Sequence, residues 1–342
     1  MSNCVVRNTL LTAALAAFAW APAIAQQVSS VKLIHTVTLP GYTGDFDHFA
    51  ADFERNRLLL AAEDHGTLEV FDLKTSAHLR TVTGFGTPHS ILVRKGAPTV
   101  LVTDSAKQGA TLRDATTYAK KSTVKLTPGS DTSKYDQTAN VLYIVTGGKD
   151  VDMKTANLEA VNPDTGAQLG MITFQDNHVE AMAFVDSDPR LFINLTQTNQ
   201  LAVVDRKTMK VLNTWPVPPA KQNAMVAFDP VQHRLYVVCR DPGMVVVMNS
   251  DTGAVVGTQP APLRSDEVQY DAATHRLYVP GGQGYMSIYD TTDPDHLKEV
   301  EKVTTAPGAK TALLIPAMHR LFLAVSPGES KAMAKILTYE VK

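Results

Sequence analysis

Short apolar runs recur along this chain at a nearly fixed interval, each closed off by Asp, Asn, Pro or Gly. The most regular of them carries a pair of the Leu-Tyr-Val type, anchored at Leu58, Val100, Leu142, Leu191, Leu235, Leu277 and Leu321. Successive anchors lie 42, 42, 49, 44, 42 and 44 residues apart. Runs of four to six residues at that period are too short for helices and predict four strands per repeat, the blade of a β-propeller. The fifth repeat shows the unit: strand a over 225–228, a turn over 229–233, strand b over 234–238, a turn over 240–243, strand c over 244–248, a turn over 249–253 and strand d over 254–258. β-Branched runs bounded by turn formers describe an antiparallel meander.

The polar positions keep the same beat. Fourteen residues after the anchor an Asp or Asn opens the c–d turn (Asp72, Asp114, Asp205, Asn249), and a Thr follows three later (Thr75, Thr117, Thr208, Thr252). Asn162 and Thr165 repeat this after an insertion in blade 3, and Asp290 stands one position early in blade 6. These side chains predict Asx and ST turns and need no further role. His233, His275 and His319, beside Asn56 of blade 1, recur in the a–b turn and read as turn residues on the opposite face. After Leu321 there is room for strands b (320–325) and c (334–341) but no strand d. Val31 to Leu39, a strand-like segment ahead of blade 1, is expected to supply it. The prediction is thus an all-β chain, a seven-bladed propeller closed by an N-terminal strand pairing with the C-terminal blade, which leaves no open sheet edge.

Leu142-Tyr143-Ile144-Val145-Thr146, Leu235-Tyr236-Val237-Val238, Leu277-Tyr278-Val279 and the strand-turn segment 201–208 resemble the YVTN-repeat (YncE-like) β-propeller family. The resemblance covers the chain after its first 25 residues and rests on pattern and period, because the literal Tyr-Val-Thr-Asn string is absent and Gly147 stands where Asn would be. It implies a fold and little about chemistry.

Residues 1–25 read as a cleaved signal peptide: Arg7 gives the charged start, 10–21 the apolar stretch and Ala23-Ile24-Ala25 the small-x-small cleavage site. A periplasmic or secreted location follows, with 26–342 as a single propeller domain. The apolar stretch is short for a membrane span, so no membrane insertion is expected. Lys and Arg number 32 against 34 Asp and Glu, and no basic stripe invites nucleic acid. Cys4 leaves with the signal, so Cys239 is expected to be a buried thiol without a disulfide.

Chemistry is concentrated at one register. The position eleven before each anchor, at the start of strand a, reads Asp47, His89, Asp131, Glu180, Ala224, Asp266 and Lys310. The next position adds His48 and Glu267, and His178 lies two before Glu180. In a propeller the d–a and b–c loops gather around one mouth of the central channel, so these residues form a candidate ligand-binding ring. Carboxylates and imidazoles facing one cavity suit a divalent metal ion, with Asp47, His48, His89, Glu180 and Asp266 as the candidate ligands. The expected function is a ligand- or protein-binding platform, its partner a small molecule or a cell-envelope protein. The alternative is a metal-assisted enzyme of lactonase or lyase type on the same ring, licensed by fold analogy alone. No G-x-S-x-G, H-E-x-x-H, P-loop or C-x-x-C-H motif is present, so triad hydrolysis and c-type haem have no support.

Overall fold

Both faces of the middle strands are apolar, and in the computed structural model both are covered. The structure describes residues 1–2, 29–107, 109–328 and 333–342. The segment expected to be a signal peptide, from residue 3 on and with Cys4, lies outside the described residues. The described strands form seven four-stranded sheets, and six of them run as simple meanders in chain order. Blade 1 comprises Phe49–Asp52, Arg57–Ala62, Thr67–Asp72 and His78–Val82 as strands a to d. Its strand b is buried from Leu58 to Ala62 without alternation, whereas four of the five residues of strand d are exposed. A continuous apolar run suits a strand sandwiched between two neighbouring blades, and the outermost strand meets water. Leu58, Val100, Leu142, Leu191, Leu235, Leu277 and Leu321 are all wholly buried. Tyr143, Tyr236 and Tyr278, one position on, fill the same slots as Phe192 and Phe322.

The seventh sheet closes the ring as expected. Val31–Leu39 pairs antiparallel with Ala334–Val341, from Val31 opposite Val341 to Leu39 opposite Ala334. The order across this blade is therefore the N-terminal strand, the last strand, Arg320–Val325 and Ala309–Ile315. Leu39, Phe49, Leu58 and Phe71 pack with Phe322, Ala334 and Ile336 in one cluster, so the two ends of the chain share a core.

The turns behave as the repeat predicts. Asp72 Oδ1 accepts the backbone N–H groups of Lys74 (3.0 Å) and Thr75 (2.8 Å), and Asp114, Asn162, Asp205, Asn249 and Asp290 cap their turns in the same way. Asn56, Asn140, His233, His275 and His319 all occupy the left-handed region, φ 51° to 55°, at the end of the a–b turn. That conformation tolerates Asn and His far better than β-branched residues. Strands a and b of blade 5 run longer than their apolar stretches, Lys221–Asp229 and Arg234–Asp241. Strand a is extended through a bulge between Asn223 and Met225, which lets polar residues carry the pairing to the channel rim.

Candidate functional site

Backbone pairing fixes the start of strand a before any side chain is placed. Asp47 N donates to Ala61 O (2.9 Å) and Asp131 N to Val145 O (3.0 Å), so each carboxylate leaves from a residue tied to strand b of its own blade. Ring closure then brings successive blades together. His89 Nδ1 lies 2.7 Å from Asp47 Oδ2 and 3.4 Å from Asp131 Oδ1, and its Nε2 lies 2.9 Å from Ser105 Oγ. His48 stands 3.6 Å from Asp47 and 3.8 Å from Glu267. Across the ring Arg240 joins Glu180, at 3.1 Å, to Asp266. Lys310 pairs with Asp266 and with Asp45, the latter at 2.9 Å. Asp45 follows Gly44, whose φ of 75° leaves no room for a side chain because a Cβ there would meet that of Asp64 at 2.2 Å.

Eight side chains named from the sequence thus converge, and a cavity of about 260 Å³ is lined by seven of them: Asp47, His48, His89, Asp131, Glu180, Asp266 and Lys310. Glu267 touches it through His48. An adjoining cavity of about 380 Å³ reaches past His178, which hydrogen-bonds Glu180 (2.6 Å), to Lys149. Ala224 is wholly buried in strand a of blade 5 and presents no polar group.

Several lining residues, Asp45 and Asp150 among them, fall outside the strand-a register. Glu63, Ser105 and Arg240 each stand five after their anchors, at the end of strand b or just past it, so the same period would have found these three. Arg240 replaces repulsion with pairing on its side of the ring. There Glu180 and Asp266, two of the five metal candidates, are taken up by cations. The other three candidates divide between two donor groups, Asp47, His48 and Asp131 in one and Asp47, Glu63 and His89 in the other, with the donor atoms of each group within 4.8 Å of one another.

The electrostatics follow from this division. Burial opposes ionisation of Asp47, but the charges of His48 and His89 and the His89 hydrogen bond outweigh it and hold the carboxyl at about 2. Burial likewise opposes charge on the imidazoles, and the surrounding carboxylates push His48 and His89 up to about 10. Glu180 is held at about 2 against burial by His178 and Arg240. Burial, with the Asp47 and Glu180 charges, pushes Asp131 up to about 6 despite His89. Among the carboxyls Glu63 departs furthest: burial first, then the charge of Asp47, push it up to about 8. At neutral pH the site therefore holds imidazolium ions, ionised Asp47 and a protonated Glu63. Cys239, by contrast, is buried away from this chemistry, and burial pushes its thiol up to about 12.

No family model matches the chain, and no curated protein matches it. Among solved structures, a chain from the "Crystal Structure of Mitotic Checkpoint Complex" superimposes with a TM-score of 0.73 at 14% identity, covering 98% of this chain and 99% of that one. This likeness is one of fold, and with the sheet order above it establishes an all-β, seven-bladed propeller.

Proposed function

We propose that this propeller is a binding platform whose channel mouth takes a divalent cation, with the surrounding rim as the contact surface for a small-molecule or protein partner. The observation that carries the reading is Glu63. Its carboxyl faces Asp47 and His89 at donor distance, yet among the described residues it makes no side-chain hydrogen bond or ion pair. Asp47, Glu63 and His89 offer two carboxylates and an imidazole, a donor set that suits zinc or manganese, and Asp131 stands beside them. Occupancy requires protons to leave Glu63 and His89, so binding is coupled to pH.

A second reading has its own support. Glu63 protonated beside ionised Asp47 is a pair of carboxyls with separated protonation states, the arrangement of a general acid and a general base. Lactone or uronate cleavage would use it, and turnover of either by the purified chain would decide for the enzyme.

Membership of the YVTN-repeat family is supported by the recurring Leu-Tyr-Val slots, and a periplasmic or secreted location by Arg7, the apolar stretch 10–21 and the Ala23-Ile24-Ala25 site. In that compartment the rim would meet a cell-envelope protein or a soluble ligand.

Thermal melting with EDTA, then with zinc, manganese or calcium, tests the cation. A hundredfold excess over Kd should stabilise the fold by about 2.7 kcal/mol. His89→Ala should abolish the shift, and His275→Ala, in an a–b turn, should leave it intact. If none of the three ions moves the wild-type curve, the cation reading is wrong.

A further inference from the structure

One hydroxyl at the mouth has no part in the cation site. Ser105 stands just past strand b of blade 2, Thr99–Asp104, and lines the cavity of about 380 Å³ while remaining half-buried. Its Oγ lies 2.9 Å from His89 Nε2, and the other ring nitrogen, Nδ1, donates to Asp47 Oδ2 at 2.7 Å. Hydroxyl, imidazole and carboxylate are thus joined through the two nitrogens of one ring. A serine nucleophile, its base and the group that orients the base are recognised by this geometry, not by sequence position. No G-x-S-x-G elbow surrounds Ser105, so no motif marks it.

Backbone contacts hold the three together. Ser105 N donates to Thr87 O (3.0 Å), and the wholly buried Asp104 carboxylate accepts the N–H groups of Gly86 (2.8 Å) and Thr87 (2.9 Å). The hydroxyl is thereby tied to the segment that leads into His89. Strand a of blade 2 is bulged between Pro88 and Ile91, a device that re-aims a side chain, and His89 lies within the bulge. The N–H of Ala106, next along from the hydroxyl, has no acceptor among the described residues. In α/β-hydrolases the residue after the nucleophile supplies such an N–H to the oxyanion.

We propose that Ser105, His89 and Asp47 form a nucleophilic triad acting on small carboxylic esters, a role that uses neither a cation nor Glu63. Ser105 Oγ bonds to the ester carbonyl carbon as its proton passes to His89 Nε2. The leaving alkoxide takes that proton and departs as the alcohol, which leaves an acyl ester on Ser105. Water then gives a proton to the same nitrogen and attacks the acyl carbon, and the proton returns to Ser105 Oγ as the carboxylic acid leaves. Asp47 stays ionised and positions the ring through Nδ1–H. A cation on Asp47 and His89 would occupy the same atoms, so the reaction belongs to the metal-free chain.

A fluorophosphonate, which modifies activated serines, tests this on the full chain in EDTA at pH 9. The alkaline buffer is needed because only neutral His89 accepts the proton: burial opposes its charge, but Asp131, Asp47 and Glu63 push it up to about 10. One adduct per chain, mapped to Ser105 by peptide mass spectrometry, is expected, with a burst of about one equivalent of nitrophenolate from p-nitrophenyl acetate. Ser105→Ala should lose both, and His89→Gln should slow labelling by about a hundredfold or more. Asp47→Asn should lower kcat for the ester with KM little changed. An unmodified Ser105 in the wild type, or labelling of Ser105 as fast in His89→Gln, would overturn the proposal. Because EDTA is present throughout, this reading and the cation reading fail independently.

Discussion

Glu63→Gln replaces an inward carboxyl with an amide of the same shape that cannot ionise, which isolates the most perturbed carboxyl in the mouth. Glu63 is held at about 8 in the folded chain against 4.5 ordinarily. A carboxyl whose folded value is raised holds its proton longer folded than unfolded, so its presence weakens the fold as pH rises from 4.5 towards 8. Between those values at pH 7 the difference integrates to about 3 kcal/mol, on the order of a 5 °C change in melting temperature. The wild type and Glu63→Gln should therefore melt alike near pH 4.5, and the variant should melt higher at pH 7 and higher still at pH 8. Asp47, His48, His89 and Asp131 titrate too, but they are common to both proteins, and the difference between the two curves removes most of their contribution. Differential scanning calorimetry from pH 4.5 to 8.5 in metal-free buffer reads it. A bound cation should reverse the order at pH 7, because it favours the ionised Glu63 that the variant lacks. A wild-type to variant difference that stays flat with pH would refute the crowding of Glu63 by Asp47 and Asp131.

Removing residues 26–40 takes away the outer strand of blade 7, with the buried Val31 and Leu39, and should cost roughly 4 kcal/mol and lower solubility. A truncated chain that melts like the intact one would contradict the closure. Arg240→Met leaves Glu180 and Asp266 facing each other without their shared cation and should cost about 3 kcal/mol at pH 7. Glu180 has a depressed folded value, so its stabilisation is present above about 4.5 and fades as pH falls towards 2. The penalty of Arg240→Met should shrink over that range in urea melts, and a constant penalty would place its origin in packing.

Period and punctuation were enough for the architecture, because a blade is built from local contacts. The apolar slot at Leu235-Tyr236-Val237, the Asn249 turn cap and the left-handed His233 each act on neighbours within one repeat, so their spacing carries the fold directly. The same counting put Asp47, His89, Asp131, Glu180, Asp266 and Lys310 around one axis, since a fixed register in each blade becomes a ring once the blades close. What the sequence alone could not decide is which charges meet. Arg240 reaches Glu180 from 60 residues away and Lys310 reaches Asp45 across 265, through the gap closed by Val31–Leu39. These pairings depend on the angle between blades and on side-chain reach, neither of which is written in any local pattern. Because of them, Glu180 and Asp266 are matched with cations while Glu63 is left crowded by acids. Short-range order settled the ring, and only its closure settled the electrostatics inside it.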